Sequence, residues 1–168
     1  MRIDGYDHEI DLVARMTISD DGIHIDYDGT SSISKFGINV PMSYTTAYTC
    51  FGISCAVSSG IPNNAGSLAP FTVSAPSGCI LNARKPAAVS LRHIIGQMLP
   101  DVVFGCLHQA LPNRVPAEGT SNLWTLKFGA GHGITPQGSS GDTPFMVMSF
   151  HSGGAGARPR QDGLSATP

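Results

Sequence analysis

Along residues 8–28 apolar and polar side chains take turns. Residues 8–17 read H-E-I-D-L-V-A-R-M-T, Asp20-Asp21-Gly22 follows, and Ile23, Ile25 and Tyr27 then alternate with His24, Asp26 and Asp28. A period of two is that of a strand with one buried face, and Asp-Asp-Gly tolerates the positive φ of a tight turn. The segment predicts a β-hairpin, with His24 solvated opposite the apolar face. The period then lengthens: Tyr44, Ala47, Tyr48, Phe51 and Cys55 stand at helical spacing, with Ser43 placed to cap the start and Ser58-Ser59-Gly60 to stop it. This predicts a helix whose aromatic stripe is core. A second hairpin is expected from Phe71, Val73 and Ala75, the Pro76-Ser77-Gly78 turn and Cys79-Ile80-Leu81. Residues 87–111 return to helical periodicity, with Ser90 as cap and Leu91, Ile94, Ile95, Met98, Val102 and Cys106 along a stripe. Pro100 removes a backbone donor and clashes with the preceding turn, which predicts a kink or two abutting helices near Leu99. Residues 123–128 and 145–150 are strand-like, separated by a glycine-rich stretch at 129–141.

These elements predict an α+β fold, antiparallel strands with two main helices packed on one side. A single core domain is expected over residues 1–150, followed by a Gly-rich flexible tail, 151–168, with no packing period.

Composition changes the picture in one respect. Charged residues are 13% of the chain, against a typical value of about 25%, while 41% are hydrophobic. Few charges remain to cover a surface, so part of it is expected to be covered by other protein. The net charge of -2 and a lysine set of only Lys35, Lys85 and Lys127 leave no basic patch for nucleic acid or an anionic membrane. No apolar run approaches the roughly 18 residues of a membrane span, and no basic-then-apolar leader is present, so a cytoplasmic setting is expected. Cys50, Cys55, Cys79 and Cys106 show no metal-ligand spacing. On a helix, Cys50 and Cys55 would be separated by an axial rise of about 7.5 Å and point to different faces. All four are expected as small buried hydrophobes.

Chemistry is sparse. His8 and Asp11 have an H-x-x-D spacing, but an offset of three in a strand puts them on opposite faces, so no metal pair is expected there. The chain lacks G-x-x-x-x-G-K-[ST], and the glycine tracts at 129–133 and 153–156 have no following helix to cradle phosphate. Asn63 and Asn64, beside Gly66, could present amides and backbone N–H groups to a polar ring where an oxyanion develops; turn formation alone also accounts for them. Arg92 and His93 fall in the first turn of the long helix, where an anion is welcome and a histidine can carry protons; a cap or interface role is the alternative. Thr30, Ser31 and Asn39 could line a polar pocket between the first hairpin and first helix, or serve ordinary loop hydrogen bonds. His151 stands where a strand gives way to the GGAGARP loop.

Ordered blocks carry a resemblance. IHIDYDGTSS, ISKFGINVPMSYTTAY, the PNNAG turn, GCILNARKPA, LPDVVFGCLHQALPNRVPAEGT and FHSGGAGARPRQDGLSAT, in this order, look like the hydantoinase B/oxoprolinase family over nearly the whole chain. The resemblance implies ATP-dependent chemistry on cyclic amides, hydantoin or 5-oxoproline ring opening, or the related carboxylation of ketones such as acetone and acetophenone. It also implies that nucleotide handling belongs to a partner A-type subunit, and that a divalent metal is held by an upstream stretch with Asn-Asp-Pro and Gly-Gly-x-His-x-x-Asp, which this chain lacks. Family members are several times longer. The chain is therefore expected to be one internal piece of a B-type subunit, inactive alone, without a cofactor of its own, and oligomeric with the rest of that subunit and the A-type partner. A noncatalytic assembly module is the competing class.

Overall fold

The structure, a computed structural model, describes residues 1–121, 123–130 and 145–165. The alternating N-terminal segment makes two ladders, not one. β1 (Arg2–Ile3) pairs antiparallel with β2 (Ile10–Asp11), and β3 (Arg15–Ser19) pairs antiparallel with β4 (Gly22–Asp26). The predicted hairpin is thus present but begins at Arg15. Its turn leads into Gly22 at φ +141°, a region open to glycine and costly for other residues. Ile25 and Tyr27 are buried, as their alternation predicts.

The second hairpin does not form. β5 (Phe71–Ser74) pairs parallel with β4, Ile23 opposite Phe71 and Asp26 opposite Ser74, giving the sheet order β3-β4-β5. Cys79 makes only an isolated bridge to Ser32. The sheet is therefore mixed, not purely antiparallel. A parallel neighbour needs a long crossover, here supplied by α1 (Met42–Val57) and the short α2 (Ala65–Leu68). His24 is accordingly not free in solvent. Its ring nitrogens lie 2.8 Å from Thr72 Oγ1 and 3.0 Å from Ser74 Oγ, across the parallel junction.

α1 ends where Ser58 predicts, but starts at Met42 behind Pro41, without a side-chain cap from Ser43. Its predicted stripe is not the core. Ala47, Phe51 and Cys55 are exposed and Tyr44 and Tyr48 half-buried, whereas Thr45, Thr49, Gly52, Ile53 and Ala56 are buried. The threonine face wins because its hydroxyls find buried partners: Thr45 Oγ1 donates to Leu81 O at 2.7 Å, and Thr49 Oγ1 pairs with the Tyr27 hydroxyl at 2.7 Å. Cys55 is thereby exposed rather than buried, and Cys106 half-buried.

The second helical region is broken at the place Pro100 predicts. α3 (His93–Gly96) and α4 (Leu99–His108) abut, with the proline in the first turn of α4, where its missing N–H costs nothing. Residues 87–92 are not helical, and α3 is entered from Arg92 without a cap from Ser90. α1 and α4 pack on each other, α1 also meeting β5 and α4 meeting β3. At their crossing a Cβ on Gly52 would lie 2.9 Å from Pro100 Cα, so only glycine permits this approach. The core joins Ile10 and Ile25 of the strands, with Leu12 and Tyr27 just beyond their ends, to Ile53, Leu99, Val103 and Leu107 from the helices.

β6 (Leu123–Ala130) and β7 (Phe145–Ser152) form a separate antiparallel ribbon. The predicted boundary after residue 150 falls inside β7. Beyond it, residues 153–165 run back beside 117–120: Ala117 N donates to Ala157 O (2.8 Å), Thr120 N to Gly154 O (3.2 Å) and Ala155 N to Leu164 O (2.9 Å). Most of the predicted glycine-rich stretch between β6 and β7 lies outside the described residues. No helix of the described residues is long and apolar enough to cross a membrane.

Candidate functional site

The returning segment closes a cleft of about 470 Å³ against the helices, within the size range of small-molecule sites. One wall is Phe51 and Cys55 of α1 with Pro100 and Phe104 of α4; the opposite wall is the glycine-rich chain at 152–156 with 116–121. Gln97 and Asp101 supply the polar side chains of the helical wall. The aromatic stripe that periodicity singles out on α1 thus borders a cleft instead of filling the core. Tyr44 and Tyr48 stack with ring centroids 4.4 Å apart, and Gln97 Nε2 donates to Tyr48 Oη at 3.0 Å, which orients the amide at the cleft edge.

Asp101 is the charged residue among those described as lining this cleft. Burial pushes its carboxyl above the ordinary carboxylate value; the Gly119 backbone N–H opposes this and the charge of Glu118 adds to it. A half-buried carboxyl with no cation among the lining residues is a polar anchor that prefers hydrogen-bond donors. Cys55 is not an activated nucleophile, although its exposure leaves it open to alkylation. Burial pushes up all four thiols, so the nucleophilic form is disfavoured.

None of the eight residues singled out from the sequence lines this cleft. Thr30 Oγ1 accepts from Val13 N and donates to Val13 O, both at 3.0 Å, and Ser31 Oγ accepts from Asp11 N at 2.9 Å. Asn39 is fully buried: Oδ1 accepts from Ser34 N, and Nδ2 donates to the carbonyls of Ser34, Phe36 and Ala88 at 2.8–2.9 Å. These side chains tie loops together instead of facing an open pocket. Asn64 caps α2, its Oδ1 accepting from Gly66 N and Ser67 N while Ser67 Oγ accepts from Asn64 N; Asn63 beside it is exposed. Arg92 is exposed and donates to Val89 O at 3.3 Å. His93 opens a helix of only four residues and borders a second groove, with Tyr6, Ile94, Trp124 and Lys127. His151 is exposed on β7, with Nε2 2.8 Å from Ser149 Oγ.

Two other constellations carry no catalytic geometry. Ser74 Oγ donates to Asp26 Oδ1 at 2.9 Å, so it does not offer its proton to His24 and the three are not ordered as a nucleophilic triad. Among the described residues no three His, Cys, Asp or Glu side chains converge as metal ligands. Asp11 is engaged by Arg2 at 2.7 and 2.9 Å, and His8 pairs with Asp7 at 3.2 Å. The residues described do not fit a divalent metal, which needs about three ligands. Asp101, Gln97 and Phe51 escaped sequence reasoning because the cleft joins residues about 50 positions apart on either side of α4. The one local signal was the aromatic stripe of α1.

Comparison with known proteins agrees with this architecture. The family model for hydantoinase B/oxoprolinase matches residues 2–168. The B-type subunit of a putative D-/L-hydantoinase from Pseudomonas sp. (strain NS671) is 29% identical over 110 residues, covering 66% of this chain and 17% of that protein. An uncharacterized protein of Methanocaldococcus jannaschii is 28% identical over 118 residues, 70% of this chain and 21% of that protein. The fold is similar to the ATP-dependent caprolactamase from Pseudomonas jessenii (TM-score 0.74, 23% identity, 92% of this chain and 26% of that one). It is also similar to a nucleotide-free acetone carboxylase (TM-score 0.77, 19% identity, 95% and 21%). The chain spans about a fifth of the length of the curated relatives it matches. A match along all but the first residue, over a fold the solved structures share, establishes that the chain belongs to the hydantoinase B/oxoprolinase family.

Proposed function

We propose that this chain is a domain of the B-type subunit of an ATP-dependent cyclic-amide hydrolase, contributing a wall of the substrate pocket and a subunit interface. The observation that carries the reading is the family match over residues 2–168 on a fold that holds a cleft roomy enough for a small ring. Two of the relatives, a hydantoinase subunit and a caprolactamase, are named for opening ring amides. Ring opening adds water across the C–N bond. The helical wall holds the ring by apolar contact with Phe51 and Phe104, while Asp101 and Gln97 hydrogen-bond its amide. ATP is handled by an A-type partner and the divalent metal by the rest of the B-type subunit, so the chain alone does not turn over.

The interface is the β6–β7 ribbon. Trp124, Leu126 and Phe128 share a face with Phe145 and Val147, and all five are exposed, Trp124 by 62%. A lone two-stranded ribbon is marginal in water, and an apolar patch of this kind marks a protein contact.

A second reading, a domain of an ATP-dependent ketone carboxylase, is favoured by the fold similarity to acetone carboxylase. A third, a noncatalytic assembly module, draws on the structural bonds made by Thr30, Ser31, Asn39 and Asn64. The test joins the chain with the A-type subunit and the remaining B-type sequence and measures ATP hydrolysis with hydantoin or 5-oxoproline. The expected result is ring opening in the assembly and none by the chain alone. Turnover by the chain alone refutes the division of labour, bicarbonate-dependent ATP use selects the carboxylase, and wild-type turnover after Phe104→Ala and Asp101→Asn selects the scaffold.

A further inference from the structure

The geometry points to a charge filter: the cleft between α1, α4 and the 152–156 segment takes an uncharged cyclic amide and turns away rings that carry a carboxylate, with Asp101 the specificity-determining residue. The inference rests on the cyclic-amide reading and narrows its substrate class.

Four observations carry it. The described residues lining the cleft include a carboxylate, Asp101, and no lysine, arginine or histidine, so an anionic ligand would meet a like charge and find no countercharge on these walls. Glu118, next to Gly119 on the segment facing α4, acts on Asp101 with the same sign. Beside Asp101, Gln97 and the Cys55 thiol, the helical wall presents the apolar side chains of Phe51, Pro100 and Phe104. A flat hydrocarbon ring can pack on them while its amide N–H meets the carboxylate. The Gln97 amide is held in place by Tyr48 and offers a second polar group for the ring carbonyl. Hydantoin and ε-caprolactam meet these demands at neutral pH; 5-oxoproline, with a ring of the same size as hydantoin but an added carboxylate, does not.

Two like charges about 5 Å apart at a protein surface repel strongly enough to cost at least about tenfold in affinity, even after screening by salt. Exposed Cys55 on the same wall makes occupancy measurable without turnover.

The test uses the full chain. Hydantoin, ε-caprolactam and 5-oxoproline are titrated calorimetrically, and the iodoacetamide alkylation rate of the Cys55 peptide is followed by mass spectrometry with each ligand present. The expected result is that the neutral rings bind and slow Cys55 alkylation, and that 5-oxoproline binds at least about tenfold more weakly. Asp101→Asn should bring the ratio of affinities towards one, and so should Gln97→Lys, which adds a cation to the same wall while leaving Asp101 in place. The inference is overturned if 5-oxoproline binds as tightly as hydantoin, if neither variant moves the ratio, or if none of the three ligands protects Cys55. Such an outcome together with ATP-dependent ring opening by the complete assembly would leave the hydrolase reading standing. Bicarbonate-dependent ATP use would remove that reading instead.

Discussion

Asn39 shows how a polar side chain becomes structural. Fully buried, it accepts from one backbone N–H and shares its two amide hydrogens among three carbonyls, joining the 34–36 loop to residue 88. Asn39→Ala leaves those groups unpaired, and we expect a loss of about 2–4 kcal/mol, seen as a lower urea midpoint at unchanged slope. The buried Tyr27 hydroxyl depends likewise on Thr49. Thr49→Val keeps the shape and removes the partner, for an expected loss of about 1–3 kcal/mol in the same assay. Asp101 has a pH signature instead. Burial raises its carboxyl in the folded chain, so the folded state takes up the proton more readily than the unfolded one. That advantage is complete below the unfolded carboxyl range of about 4 and is lost as pH rises through the folded value, leaving a penalty at neutral pH. Asp101→Asn should therefore unfold at higher urea than wild type at neutral pH, and the gap should close on acidification. A gap that widens towards low pH would contradict the burial argument.

At the scale of elements, α1 is informative because both of its faces are used. Thr45, Thr49, Ile53 and Ala56 face the core while Phe51 and Cys55 face the cleft, so no single apolar stripe can identify its buried side. Its contact with α4 hinges on Gly52 against Pro100. Gly52→Ala gains helix propensity but must push the helices apart, and we expect a net loss of about 1–3 kcal/mol, together with a faster Cys55 alkylation rate as the cleft wall shifts. The ribbon behaves differently, since none of its described residues belongs to the core cluster. Phe128→Lys, placed directly opposite Val147, should leave the unfolding free energy within about 0.5 kcal/mol of wild type while weakening association through the proposed interface in sedimentation velocity.

At the scale of the molecule, what was legible is what short stretches decide. The β3–β4 hairpin, the end of α1 at Ser58, the break at Pro100 and the two strands of the ribbon each follow from a period or a turn residue within a few positions. The α+β class follows from their order. The candidate site was not legible in this way: residues chosen for their chemistry, Thr30, Ser31, Asn39 and Asn64, are engaged by backbone groups that the sequence cannot rank as neighbours. Sequence alone thus determined the β3–β4 turn, the stop of α1, the break at Pro100 and the family, because local sterics and ordered motifs act along the chain. Tertiary structure alone decided that β5 joins β4 in parallel, that the threonine face of α1 is core, and that Asp101 meets the 119 backbone across a cleft. Those outcomes turn on which distant groups can satisfy each other's hydrogen bonds and exclude water together, a competition settled only once the whole chain has folded.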